Sequence, residues 1–126
     1  MIAIILFVFS AAAVADDMAG KLLYVEGKAS VISSGQVAEA HKGSPVKNGD
    51  TVRTDAGAKA KIYLVNNAVL DLSGGSEILI GSDHGQEQGI DLKLGRIRAM
   101  IGKQKKNSGV RIRTNSAIMR VRGPEV

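Results

Sequence analysis

The chain has no cysteine and no tryptophan, and aromatic residues make up only 3% of its 126 residues. Without cysteine there can be no disulfide framework, cysteine-ligated zinc, thiol nucleophile or iron–sulfur cluster. Both phenylalanines, Phe7 and Phe9, fall in an N-terminal apolar run, which leaves Tyr24 and Tyr63 as the aromatics of the remainder. That is too few for the stacking platforms that sugar-binding and single-strand nucleic-acid modules use. Two histidines, His41 and His84, do not make a histidine-rich metal site. No cofactor or metal is therefore expected. Proline is scarce too, with two residues, whereas glycine is plentiful, with fifteen.

Met1 to Ala15 carries no charged side chain, and Ala13-Val14-Ala15 precedes Asp16-Asp17. An apolar stretch followed by a small-x-small site reads as a cleaved signal peptide over residues 1–15. The run is shorter than the roughly 20 apolar residues a spanning helix needs, so no stable membrane span is expected once the signal is removed. The alternative is an uncleaved anchor whose upstream part is missing. Both readings export the rest of the chain. Residues 16–21 read as a linker and residues 22–126 as one domain. A domain of that size can bury on the order of two-thirds of its unfolded surface, so it can stand on its core without disulfides.

Apolar residues in that domain recur with period two. Leu23, Val25, Ala29 and Val31 share a face, and Gly27 within the set suggests a bulge. Ala60, Ile62 and Leu64 alternate with Lys59, Lys61 and Tyr63. Similar alternation runs through Leu70 and Leu72, Ile78 and Ile80, Ile90 to Leu94, Ile97 to Ile101, Val110 with Ile112, and Met119 with Val121. Turn chemistry separates the runs: Asn48-Gly49-Asp50, Asn66-Asn67, Ser73-Gly74-Gly75-Ser76 and Gly81-Ser82-Asp83. No helical stripe is sustained outside the leader. The fold class is all-β, with short, mostly antiparallel strands in a sandwich, a roll or a short solenoid.

The order of these pieces resembles a known family. Glu26-Gly27-Lys28-Ala29-Ser30-Val31 opens the set, and Lys47-Asn48-Gly49-Asp50-Thr51-Val52-Arg53-Thr54 follows. Next come Ala60 to Leu64, Val69 to Leu72, Ser76 to Ile80, and Asp91-Leu92-Lys93-Leu94-Gly95-Arg96-Ile97. Ile112-Arg113-Thr114-Asn115-Ser116-Ala117 leads into Val121-Arg122-Gly123. From Leu22 to Gly123 the chain resembles the FecR domain. Gly123-Pro124-Glu125-Val126 departs from the Gly-Thr-apolar ending usual in that family. On their own chemistry the motif residues are structural: Gly49 and Gly95 serve turns, Asp50 caps its turn, Thr54 and Thr114 end strands, and Gly123 closes the last element. The resemblance implies an exported protein of the periplasm or cell envelope of a bacterium. It also implies, for members of the iron-citrate regulator type, a periplasmic part that receives a signal while a cytoplasmic N-terminal part controls a sigma factor. The sequence as given holds no cytoplasmic part.

Charge is unevenly spread over a chain of net charge +5. From Lys93 onward there are ten basic residues and one acid, a balance of +9; between Asp16 and Leu92 there are seven basic residues and eleven acids, a balance of −4. Arg96 with Arg98, Arg111 with Arg113 and Arg120 with Arg122 are each two apart, so on a strand each pair points to one side. Two readings follow. The six arginines form a basic face for an envelope protein or an anionic envelope component, or they lie on solvated sheet faces and pair with acids across strands. Export argues against a nucleic-acid partner.

No nucleophile motif is present, and the chain is not expected to be an enzyme. The one acid–histidine neighbourhood is Asp83-His84, with Glu87 in the same loop, and its spacing matches no calcium loop. His41 is expected to be an exposed side chain. Three readings result. The first is a non-catalytic exported β-domain that binds a protein or envelope partner, with signal sensing as one use of that binding. The second is the periplasmic signal-receiving part of a transmembrane anti-sigma regulator. The third is a hydrolase or metal site centred on His84.

Overall fold

A computed structural model describes residues 18–82, 87–103 and 109–121. The expected signal peptide, His84, Asp83, Arg122 and Gly123 lie outside them. The described residues form twelve strands: β1 (Met18–Glu26), β2 (Ala29–Ser33), β3 (Gln36–Glu39), β4 (Pro45–Lys47), β5 (Thr51–Thr54), β6 (Lys59–Leu64), β7 (Ala68–Leu72), β8 (Glu77–Ser82), β9 (Glu87–Leu94), β10 (Ile97–Ile101), β11 (Gly109–Arg113) and β12 (Ile118–Val121). A five-stranded sheet runs in the order β10-β7-β6-β1-β4, and a seven-stranded sheet in the order β12-β11-β9-β8-β5-β2-β3.

The period-two residues of both sheets meet in one core. Leu22, Val46, Ile62, Leu64 and Leu70 come from the smaller sheet, and Val52, Ile78, Ile80, Ile90 and Val110 from the larger. All of these are essentially inaccessible to water. Of the three all-β arrangements open to the sequence, the sandwich is therefore the one formed. Alternate residues point outward, which leaves each sheet one apolar and one polar side. Pairing is antiparallel except between β9 and β11, which run parallel.

The chain changes sheet at most of its connections, and glycine makes many of those corners. Gly27 (φ 79°) lies between β1 of one sheet and β2 of the other, so it marks a sheet-to-sheet corner and not the bulge its position suggested. Gly95 (φ 85°) turns β9 into β10. A side chain at Gly95 would overlap the backbone and hydroxyl of Ser76, so both the dihedral and the space exclude one. Asn67 (φ 65°) closes the β6–β7 hairpin in the left-handed region that asparagine tolerates.

Three sequence expectations are corrected. Strand β1 begins at Met18, inside the stretch read as a linker, and Ala19 is fully buried. A bulge of β1 falls between Leu22 and Tyr24, so Leu22 enters the core in place of Leu23. A second irregularity, where β9 meets the start of β8, takes Leu94 out of phase with Ile90 and leaves it exposed. In each strand, one extra residue reverses the facing of everything beyond it.

Candidate anion-binding surfaces

The motif residues hold corners together. The backbone N–H of Lys47 donates to Asp50 Oδ2 (2.9 Å), and Asp50 is buried. Thr54, also buried, donates from Oγ1 to the Ser73 carbonyl (2.7 Å) and accepts from the Ser76 N–H (3.0 Å), which ties β5 to the β7–β8 turn. Ser76 Oγ accepts from the Arg96 N–H (3.1 Å) and so joins that turn to the Gly95 corner. Thr114 Oγ1 accepts from the Ala117 N–H (3.1 Å) in the β11–β12 hairpin.

The arginines do not share one face. Arg98 lies in β10 at the edge of the five-stranded sheet, with Arg96 just before that strand, whereas Arg111, Arg113 and Arg120 belong to β11 and β12 of the seven-stranded sheet. All point outward, and the two outward sides of a sandwich are opposed. Sequence spacing gave the facing within each strand but not which sheet each strand joins.

On the larger sheet, Arg111 stands opposite Arg120 on one side and Gly89 on the other, and Gly89 is opposite Gly81. Two adjacent glycines leave a dent of about 110 Å³ walled by Arg111, Arg113 and Asp91. That volume holds a few water molecules or one carboxylate or phosphate group. Arg113 Nε lies 3.8 Å from Asp91 Oδ1, with both side chains substantially exposed. The hairpin partner of Arg113 is Ile118, which is 63% exposed, and the next residue, Met119, is 55% exposed. Among the described residues β12 ends its sheet, so cationic and apolar side chains sit together on an edge.

On the smaller sheet, Lys61, Asp71 and Arg98 form one outward row across β6, β7 and β10. Lys61 Nζ approaches Asp71 Oδ1 at 3.7 Å. Tyr24 continues the row on β1, and its hydroxyl donates to Glu26 Oε2 (3.0 Å). That hydrogen bond, with the nearby charge of Glu26 and slight desolvation, raises the tyrosine pKa above 10.0. Lys59, Lys61 and Tyr24 were not singled out in the sequence. The two lysines carry the same two-residue spacing as the arginine pairs, and that signal could have found them.

Acid pairing across strands does occur, at Arg113–Asp91, Lys61–Asp71 and Arg53–Glu77 (2.8 Å). His41 is exposed, and its backbone N–H donates to Ser44 Oγ. Among the described residues no group of three or more histidine, cysteine or acidic side chains is placed to hold a metal.

These features define a two-sheet β-sandwich with arginine or lysine side chains on the outward side of each sheet. The FecR protein family matches residues 50–126, more than half of the chain, and the chain belongs to that family. The FecR domain is associated with signal-sensing regulators, and its proteins are typically envelope-associated. No curated protein and no solved structure matches the chain. Strands β1 to β4 precede the matched segment, yet Ala19, Leu22 and Val46 complete its core. No helix among the described residues is long and apolar enough to cross a membrane.

Proposed function

We propose that this FecR-family chain is a non-catalytic, exported β-domain that binds a protein or anionic envelope component, in the service of signal sensing. The observation that carries the reading is the arginine-walled dent beside the exposed edge strand β12. Arginine presents a planar fork of donors that matches a carboxylate or phosphate. Exposed apolar side chains next to it add contact area that a partner would cover. The uncharged leader followed by Ala13-Val14-Ala15 supports export.

A photoreactive residue in place of Arg113, crosslinked in intact cells and followed by mass spectrometry, tests this. One dominant envelope adduct that is lost when Arg111→Glu is added to the probe-bearing chain supports the reading. A folded protein without any specific adduct overturns it. The intact mass from the same sample checks cleavage before Asp16.

Family membership favours a second reading, the signal-receiving part of a transmembrane anti-sigma regulator. Upstream coding sequence for a cytoplasmic helical segment, together with an uncleaved product, would support it over the first.

A further inference from the structure

We infer that the outer face of the five-stranded sheet is a second binding site, a groove along β7 that takes an extended run of consecutive aspartate or glutamate residues from a partner protein. The inference deepens the partner-binding reading and relies on it for the existence of a partner, but it concerns the opposite side of the sandwich from the arginine-walled dent.

The groove has an open volume of about 520 Å³ and is lined by Lys59 and Lys61 on one side and Arg96 and Arg98 on the other. Its floor is β7, with Asp71 at the centre and Ser73 beyond it. The registers fix the layout. Lys61, Asp71 and Arg98 lie in one row, and Ser73 donates its backbone N–H to the Arg96 carbonyl (3.2 Å), which places Arg96 one outward position further along. Lys59 is one outward position beyond Lys61 on β6. The four cations thus form two columns, one strand to either side of β7. Adjacent strands are about 4.8 Å apart, so the columns are about 10 Å apart; within a column the charges repeat every ~6.7 Å.

An extended polypeptide lying along β7 with its pleat parallel to the sheet has the matching pattern. Its side chains alternate left and right, and those on one side repeat every ~6.7 Å. Four consecutive acids would present two carboxylates to the lysine column and two to the arginine column. A phosphodiester chain carries its charges in a single file and fits two columns less well. The floor also favours a peptide: Asp71, about one-third exposed, is an acceptor for a backbone N–H, a donor that a phosphodiester polymer lacks. Two acids oppose the occupant, Asp71 in the floor and Glu26 at the rim, so the local excess is two positive charges. Tyr24 holds Glu26 through its hydroxyl and offers the flat ring that bounds the groove at β1.

The test is fluorescence anisotropy of two labelled synthetic peptides with the purified full chain at low salt. One peptide holds four consecutive acids, and the other holds the same four acids spaced every fourth residue. The contiguous peptide is expected to bind about tenfold more tightly, the equivalent of one well-placed charge-assisted contact. Arg96→Gln with Arg98→Gln, and separately Lys59→Gln with Lys61→Gln, should each abolish the preference, with the circular dichroism spectrum and thermal midpoint retained. Arg111→Glu with Arg113→Glu should leave it intact. Equal binding of the two peptides overturns the inference. So does binding unaffected by both groove variants, or tighter binding of inorganic polyphosphate than of the contiguous peptide. Loss of this preference beside an unchanged Arg113 crosslink would remove the groove and keep the partner-binding reading; loss of the crosslink alone would remove the arginine-walled dent as a contact and leave the groove as the partner's site.

Discussion

Replacing Thr54 with valine keeps the shape of the side chain and removes its chemistry. Thr54 is buried, and its Oγ1 both donates to the Ser73 carbonyl and accepts from the Ser76 N–H, itself on a buried residue. Valine leaves that N–H without this acceptor in a site water does not reach. An unsatisfied buried donor costs about 1–3 kcal/mol, and the lost bond to Ser73 adds about 1 kcal/mol. Against this, valine gains one buried methyl, worth about 0.8 kcal/mol. The net loss is about 2 kcal/mol. For a domain near 100 residues that lowers the thermal midpoint by roughly 10 °C. Thr54→Ser makes the opposite change, keeping both hydrogen bonds and losing a methyl, and should cost about 1 kcal/mol. The order is diagnostic: serine is expected to be the more stable variant, although valine is the more hydrophobic and has the higher strand propensity. Thermal unfolding followed by far-ultraviolet circular dichroism reads both. A valine variant as stable as the parent, or a serine variant less stable than valine, would refute the assignment of Thr54 as the clasp between β5 and the β7–β8 turn.

Gly95→Ala combines a left-handed backbone with overlap of Ser76, so it should destabilise by more than about 3 kcal/mol; Gly49→Ala has a similar φ (94°) but open space and should cost only about 1 kcal/mol, and urea unfolding of both variants checks the difference. Tyr24 should titrate above 10.0 in an absorbance titration of the phenolate, and Glu26→Ala should bring it back toward that value. Because the protonated phenol is favoured in the fold, whatever stability this contact contributes is complete below pH 10 and is lost as the pH rises through the folded-state pKa.

Alternation determined the strands. Runs such as Lys59 to Leu64 and Val110 to Arg113 place every second residue in a core whichever neighbours they find, because side-chain facing in a strand is a local property. The glycine and asparagine turns were legible for the same reason: Gly49, Gly95 and Asn67 report a backbone dihedral of their own. The outward facing of the arginine pairs was local too. Their grouping was not. Arg98 and Arg113 have identical spacing patterns, yet one joins β7 and the other β9 and β12, through pairings that span dozens of residues. The bulges at Leu22–Tyr24 and in β9 also escaped the sequence, since one added residue in β1 or β9 satisfies the same composition while exchanging Leu23 for Leu22 and exposing Leu94. The sequence alone thus carried the all-β class and the family, because alternation and turn chemistry depend on neighbours a few positions away. Only the tertiary structure decided the sandwich, the parallel β9–β11 pair, and the division of the basic residues into an arginine-walled dent on one sheet and a lysine–arginine groove on the other. Strand order and register come from packing the whole chain around one core, and period-two alternation is compatible with many such orders.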